Sequence, residues 1–162
     1  MRALTYLCAV PFVCALGMPA NAQLLEQKAL SAAMAMTIAQ VTIDTCKANG
    51  YRVSVSIVGR AGELLLQVRG DNTGPHTMEN SFRKAYTSRT FRGPSSDLVQ
   101  RLKDNPNLPL IWLSNVVAAQ GALPIKVGDD VLGAVGVSGA PGGDKDEVCA
   151  KAGIDKVADQ LK

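Results

Sequence analysis

His76, the one histidine in the sequence, is the residue best suited to hold a metal ion. It lies after a Gly-Pro pair at the expected start of a helix, where a neutral imidazole can be an axial ligand of haem iron or one ligand of another metal ion. The alternative is an exposed or helix-capping histidine that binds nothing. Asn80, Arg83 and Thr87 follow at positions +4, +7 and +11. These spacings put a guanidinium on the helix face of His76, which fits a haem propionate or an organic acid and fits a solvated face equally well.

A glycine-rich segment, residues 138–144, connects an expected strand to the last expected helix. Backbone N–H groups and the helix dipole attract anions at such a helix N-terminus. We therefore interpret four of its residues as one wall of a ligand pocket: Ser138, Gly139, Gly142 and Gly143. The alternative is that the glycines serve only a tight connection, with Asp144 and Glu147 forming a capping box at the helix start.

Motifs of well-known catalytic sites are absent from the sequence, which has no GxSxG, no HExxH, no P-loop and no GxGxxG between a strand and a helix. A serine nucleophile would need His76 as its base, and His76 lies in a different segment from Ser138. We therefore predict no catalytic residue. The sequence favours a binding protein over an enzyme without deciding between them.

Composition argues against several further classes. With 47% hydrophobic and 19% charged residues, the chain is too apolar for a disordered tail. Its 4% aromatic content is too low for a typical platform that stacks single-stranded nucleic acid. The net charge of +3 comes without a long basic run, so neither a nucleic-acid partner nor a membrane-surface role is predicted.

The first 22 residues have the pattern of a secretory signal peptide. A positive start at Arg2 precedes an apolar stretch of about fifteen residues, shorter than the ~20 that a membrane-spanning helix needs. Ala20 and Ala22 form the small-x-small cleavage pattern. We expect cleavage after Ala22, a periplasmic or secreted protein, and a single domain over residues 23–162 without a membrane span.

Two of the four cysteines, Cys8 and Cys14, lie within the expected signal peptide. The other two, Cys46 and Cys149, belong to a chain directed to an oxidising compartment, where a disulfide is the better expectation. Two buried reduced cysteines are the alternative. A zinc site is not expected, because there is one histidine and no CxxC.

The hydrophobic periodicity predicts an α+β fold. A long helix is expected over Leu24–Ala48, with a stripe of apolar and small residues that includes Leu25, Ala29, Met36 and Cys46. Strands joined by tight turns imply an antiparallel sheet, and the first and last helices must bury their stripes on it. The remaining elements are strands at 53–57, 64–68, 111–117, 121–127 and 131–137, and helices at 76–92, 95–101 and about 144–161.

Several segments of the sequence resemble the GlcG/HbpS family of haem-binding proteins, also called DUF336. They are LGAVGVSGAPGG at 132–143, continued by DEVCA at 146–150 and AGI at 152–154, and GPHT at 74–77 with RKAYT at 83–87. AQGALPI at 119–125 departs from the family's Gly-Gly-x-Pro-Ile, which weakens the expectation of close backbone approach to a ligand there.

This resemblance implies a profilin-like or PAS-like fold with an antiparallel sheet of about five strands. It also implies a homo-oligomer and haem as the cofactor. Carried over to this chain, it implies His76 and Thr77 near the haem iron, and Arg83 and Lys84 as partners of the haem propionates. Because aromatic residues are few, a haem pocket here would be built largely from aliphatic side chains and backbone, at a subunit interface rather than deep in one chain.

Three functions remain open from the sequence. The first is a secreted or periplasmic haem-binding protein, either a haem carrier or a redox-sensing component. The second is a binding module or small enzyme of the glycolate-operon type, for an organic acid or aldehyde held by Arg83 and the 138–144 segment. The third is an oligomeric scaffold without a ligand.

Overall fold

The computed structural model describes residues 24–162, so the expected signal peptide, with Cys8 and Cys14, lies outside the described residues. Within that range the chain forms four α-helices and four strands, which confirms the α+β class. The elements are α1 (Ala32–Ala48), β1 (Ser54–Val58), β2 (Leu64–Arg69), α2 (Thr77–Phe91), α3 (Ser96–Asp104), β3 (Ala122–Val127), β4 (Asp130–Ser138) and α4 (Gly143–Lys156), with 3-10 turns at Pro109–Trp112 and Ala158–Gln160. No helix in the described part of the chain has the length and apolarity to span a bilayer.

The sheet has the strand order β2-β1-β4-β3, and every neighbouring pair is antiparallel. Two hairpins, β1–β2 and β3–β4, are joined through the central pair β1 and β4. In that pair Val55 lies opposite Val137, and Ser56 lies opposite Gly136. Because side chains alternate along a strand, this register places valines on one face of the sheet and serine and glycine on the other.

The apolar face of the sheet is covered by α1 and α4, as predicted for the first and last helices. Its core includes Ile38, Ile57 and Val135, each with no exposed surface. The helices approach each other closely at Gly153, where a Cβ would lie 2.6 Å from the carbonyl oxygen of Ile38. A glycine is therefore required at the crossing of α1 and α4.

A disulfide between Cys46 of α1 and Cys149 of α4 joins the two helices, with their Cα atoms 5.5 Å apart. Both residues are buried in the apolar core. The predicted disulfide is thus confirmed. It closes a loop with a sequence separation of 103 residues, and closure of so long a loop contributes about 4–5 kcal/mol of stability in the chain-entropy account.

The opposite face of the sheet is covered by α2 and is markedly polar. The hydroxyl of Ser56 is 2.7 Å from that of Ser81, and the hydroxyl of Ser54 is 2.7 Å from that of Thr77. A Cβ at Gly136 would lie 2.1 Å from the carbonyl oxygen of Ser81, so the helix backbone rests directly on the strand. Small residues in β1 and β4 therefore allow α2 to approach closely enough for these hydroxyl pairs to form.

The first helix is shorter than the sequence predicts, beginning at Ala32 rather than Leu24. Ser31 is its N-cap, and the Ser31 hydroxyl accepts a hydrogen bond from the N–H of Met34 at 3.1 Å. Leu25, expected in the buried stripe, is 81% exposed. The apolar spacing continues upstream of Ser31, but only Leu30 of that part of the chain is buried in the core, whereas residues 24–29 are exposed.

The strand predicted at 111–117 is wrong, and the sheet has four strands rather than about five. Pro109 begins a 3-10 turn through Trp112, in which no residue is buried. Beyond the turn, the backbone of Val117 bonds to the Thr87 side chain rather than to a neighbouring strand. A proline and a bond to a helix side chain thus replace strand pairing.

The predicted capping box at the last helix is also wrong. The N-cap of α4 is Gly142, and no side chain caps it. The Glu147 carboxylate instead accepts a hydrogen bond from Gln120 Nε2 at 2.9 Å.

Candidate functional site

A cleft of about 740 Å³ opens where α2 begins, β1 begins and β4 ends. We call it the α2 cleft. Its volume lies in the range of about 300–1,000 Å³ that is typical of small-molecule sites. It is lined by Gly50, Tyr51, Arg52, Asn72, Thr73, Gly74, His76, Thr77, Asn80, Lys84, Ser138, Gly139, Ala140, Pro141, Gly143 and Asp146.

The sheet register brings these distant segments together. Ser54, near the start of β1, pairs with Ser138, at the end of β4, so the glycine-rich segment leaves the sheet beside the start of β1. Asn80 of α2 donates a hydrogen bond to the Ser138 hydroxyl at 2.9 Å. The Thr77 hydroxyl donates to the carbonyl of Gly74 at 2.8 Å and lies against Ser54. The first turn of α2 is thereby held on the strand ends.

His76 lies at the rim of the cleft, at the N-cap position of α2. It is exposed, and its side chain makes no capping hydrogen bond. The ring rests over Gly74, where a Cβ would lie 2.8 Å from Cε1 of the imidazole. The chain therefore presents its one imidazole to the cleft, with a glycine beneath the ring.

Lys84 and Asp146 form a buried ion pair in the wall of the cleft, with 2.8 Å between Nζ and Oδ2. Their side chains are 6% and 3% exposed. Lys84 also donates to the carbonyl of Val137 at 3.0 Å, and Asp146 accepts from the N–H of Ala140 at 3.1 Å. Burial raises the pKa of Asp146 above its usual value, although the nearby ammonium of Lys84 opposes the rise. The pair connects α2 to α4 and holds the glycine-rich segment in place.

The glycine-rich segment contributes three of its four predicted residues to the cleft, namely Ser138, Gly139 and Gly143. Gly139 has φ +136°, and a Cβ there would lie 2.2 Å from the carbonyl oxygen of Arg52, so only glycine fits. Gly142 does not line the cleft but serves as the N-cap of α4. The segment is therefore both a tight connection and a cleft wall, which combines the two interpretations of its sequence.

Arg83 is not brought to the cleft. Its guanidinium donates to the carbonyl of Val116 at 2.8 Å and lies 3.5 Å from the Glu79 carboxylate. Two helical turns, about 10 Å along the axis, separate it from His76. Thr87 likewise bonds to Val117 rather than facing the cleft. The helix face that was expected to place a guanidinium beside His76 instead contacts residues 116–117.

Among the cleft residues that sequence reasoning missed are Tyr51, Arg52 and Asp146. Tyr51 and Arg52 lie in the connection between α1 and β1, which carries no recognisable motif. Asp146 had a signal, since an acidic residue in the first turn of a helix after a glycine-rich segment is well placed to accept backbone N–H groups. No group of three or more His, Cys, Asp or Glu side chains suited to a metal ion occurs within residues 24–162.

The profile of one protein family, described as "Haem degrading protein HbpS-like", matches residues 30–155. A curated relative from Citrobacter freundii is 30% identical over 106 residues, which are 64% of this chain and 74% of the relative. That relative is described as an uncharacterised 15.0 kDa protein in the dhaT-dhaS intergenic region.

Solved structures share the fold. The crystal structure of HbpS has a TM-score of 0.79 and 32% sequence identity, covering 83% of this chain and 94% of HbpS. The crystal structure of a PduOC complex with haem has a TM-score of 0.72 and 20% identity, covering 79% of this chain and 94% of PduOC. At that identity the second likeness concerns the fold alone.

Proposed function

Because this chain belongs to the HbpS-like family, we propose that it binds haem in the α2 cleft, with His76 as the axial ligand. The observation that carries the proposal is the position of the chain's one histidine at the rim of a cleft of about 740 Å³. The description of the family as haem-degrading and the haem complex of PduOC support haem as the ligand. We further propose a role as a haem carrier or as a redox-sensing component.

The donor set of the cleft fits haem. An exposed imidazole without a capping bond is free to ligate iron, and Thr77 lies next to it in the chain. Tyr51, Ala140 and Pro141 offer apolar surface to a porphyrin. When bound, haem supplies iron for ligand binding or electron transfer, while this chain's residues orient the ring and set its exposure to water.

Haemin titration of the protein tests the proposal through the Soret band. The wild-type protein should give a shifted, saturable band, and His76→Ala should give a different spectrum with weaker binding. Free imidazole should restore the wild-type spectrum to His76→Ala, which separates a lost ligand from a damaged fold. Asn107→Ala, in an exposed loop, is the matched control and should behave as wild type. No saturable band in the wild type would overturn haem binding, and an unchanged spectrum in His76→Ala would remove His76 as the ligand.

We also propose that the protein is exported, with cleavage after Ala22 and a single domain over residues 23–162. The disulfide between Cys46 and Cys149 supports an oxidising compartment. Intact mass measurement of protein recovered from the periplasm or the medium should give a chain that begins at Gln23. A full-length chain retained in the cytoplasm would contradict export.

A second candidate function is the binding of a small organic acid or aldehyde in the same cleft. Its support is the predominance of polar groups in the lining, among them Asn80, Ser138 and Lys84. Thermal shift with small carboxylates tests it, since a stabilising ligand raises the melting temperature in a concentration-dependent way. A saturable Soret band with haemin, together with no change in melting temperature with any carboxylate, would favour haem.

We propose, finally, that the protein forms a homo-oligomer through its exposed apolar segment Pro109–Leu113. Trp112 is 83% exposed and Leu113 is 49% exposed in this segment. Contiguous apolar side chains at a surface are typical of contacts between proteins.

A further inference from the structure

The cations expected to bind haem propionates are not free to do so. The guanidinium of Arg83 lies outside the α2 cleft, on Val116 and Glu79. Lys84 lines the cleft, but its charge is compensated by Asp146 at 2.8 Å and both side chains are buried. A ligand with two carboxylates in this cleft therefore needs cations from elsewhere, because an uncompensated carboxylate is costly to desolvate.

A second cavity, of about 570 Å³, adjoins the α2 cleft. We call it the α1 groove. It lies between the C-terminal half of α1, the connection to β1, and the end of β2 with the loop that follows. The groove and the cleft share Gly50, Tyr51, Arg52 and Asn72 in their walls. The two cavities are therefore neighbouring parts of one surface, with the α1–β1 connection between them.

Arg52 is the cation common to both cavities. Lys47 and Arg69 line the groove beside it. All three side chains are exposed, and none of the ion pairs within residues 24–162 involves them. Arg69 is oriented by a hydrogen bond to the carbonyl of Thr73 at 3.2 Å. These cations are thus available to an anion at the junction of the two cavities.

The groove also contains two acids, Asp44 and Asp71. The Asp44 carboxylate accepts hydrogen bonds from Gln40 Nε2 at 3.0 Å, so part of its negative charge is compensated within α1. With three cations against two acids, the groove favours anions near Arg52 and disfavours them near Asp71. A guanidinium is the side chain best matched to a carboxylate, since it donates two parallel hydrogen bonds.

We propose that Arg52, assisted by Lys47 and Arg69, forms a carboxylate subsite that binds the propionates of a haem held in the α2 cleft. This subsite rests on the proposed haem-binding function. Haem is an apolar disc with both carboxylates on one edge. The apolar surface of Tyr51, Ala140 and Pro141 can contact the disc while Arg52, at the junction with the cationic groove, meets the carboxylate edge. The subsite replaces the Arg83 and Lys84 assignment that the family resemblance implies.

Titration with haemin and with haemin dimethyl ester tests the subsite, because the ester keeps the iron and the ring but has no carboxylates. Arg52→Gln should weaken haemin binding about tenfold or more, as expected for loss of a charged hydrogen-bonded pair, and should leave ester binding unchanged. Lys103 is an exposed lysine on α3, and Lys103→Gln removes the same charge. It should change the affinity for neither haemin nor the ester. Asp71→Asn should strengthen haemin binding and leave the ester unaffected.

The outcomes separate the subsite from the proposed function. If Arg52→Gln binds both porphyrins as the wild type does, or loses both equally, the subsite is overturned while haem binding stands. If the wild-type protein binds neither porphyrin, the proposed function fails and the subsite fails with it. Should Lys103→Gln weaken haemin binding as much as Arg52→Gln, the effect is one of net charge and the subsite is overturned.

Discussion

On one face of the sheet, Val55, Ile57 and Val135 pack against α1 and α4 through apolar contacts, and a disulfide joins those helices. On the other face, Ser54 and Ser56 meet α2 through hydroxyl pairs, and the candidate cleft lies at the end of that interface. Apolar burial is non-directional and strong, whereas each hydroxyl pair contributes little but fixes geometry. The difference indicates that the α1/α4 face supplies stability and the α2 face supplies the position of the site.

The largest expected effect comes from removing the disulfide. Cys46→Ala with Cys149→Ala should lower the free energy of unfolding by about 4–5 kcal/mol in the chain-entropy account, measured by urea denaturation without reductant. Haemin affinity should be unchanged below the melting transition, because neither cysteine side chain lines the cleft. Loss of haemin binding in the folded variant would show that the two faces are not independent.

Breaking the buried ion pair tests the α2 face. Lys84→Met should cost about 3–5 kcal/mol at pH 7, since it leaves the Asp146 carboxylate buried without its partner. The matched control is Lys84→Met with Asp146→Leu, which removes both charges and should recover most of the loss. A double variant as unstable as the single one would mean that packing, rather than charge, is responsible.

The pH dependence of this variant follows from the raised pKa of Asp146. An acid whose pKa is higher in the folded state favours folding at pH values below its unfolded pKa. That contribution is lost as pH rises through the folded pKa. The loss of unfolding free energy in Lys84→Met, relative to wild type, should therefore become smaller as the pH is lowered and Asp146 becomes protonated. Urea denaturation across pH 4–7 measures it, and a deficit independent of pH would contradict the assignment to Asp146.

A smaller effect on stability is expected for the hydroxyl pairs between β1 and α2. Ser56→Ala should cost about 0.5–1.5 kcal/mol, because the Ser56 hydroxyl bonds both to Ser81 and to Gln67 Nε2 at 2.8 Å. A double-mutant cycle with Ser81→Ala isolates the pair. Additive losses would indicate that the two hydroxyls do not act together in positioning α2.

The smallest effect on stability is expected outside both faces. Trp112→Ser should change the free energy of unfolding by no more than about 0.5 kcal/mol, as is usual for surface positions. If the segment mediates self-association, light scattering should show a lower molar mass for the variant. An unchanged mass would move the proposed oligomer contact elsewhere.

The parts of the fold that the sequence predicted are those with a local signal. Alternation of Val and Ser in 53–57 identified β1, and the glycine-rich segment identified a wall of the cleft. His76 was chosen as a candidate because it is the one imidazole in the sequence. In each case residue type and spacing carried the information directly.

What the sequence did not predict depends on distant contacts. Periodicity placed Arg83 on the face of His76, but the guanidinium bonds to Val116, which no local pattern reveals. The partner of Lys84 is Asp146, at a separation of 62 residues. Pro109 is a local signal to which too little weight was given. The apolar run after it has the composition of a strand, but the chain there forms a turn.

The disulfide has a further consequence for what proteolysis does to the molecule. Cys46 and Cys149 enclose the whole sheet, α2 and every named residue of the cleft in one covalent ring. The longest exposed connection within that ring, around residues 105–115, is where a protease would find accessible backbone. A single cut there opens the ring into a chain without releasing a fragment, so the two parts remain tethered through sulfur. A nicked molecule can therefore keep its cleft assembled, and the cut becomes visible on a gel only after reduction.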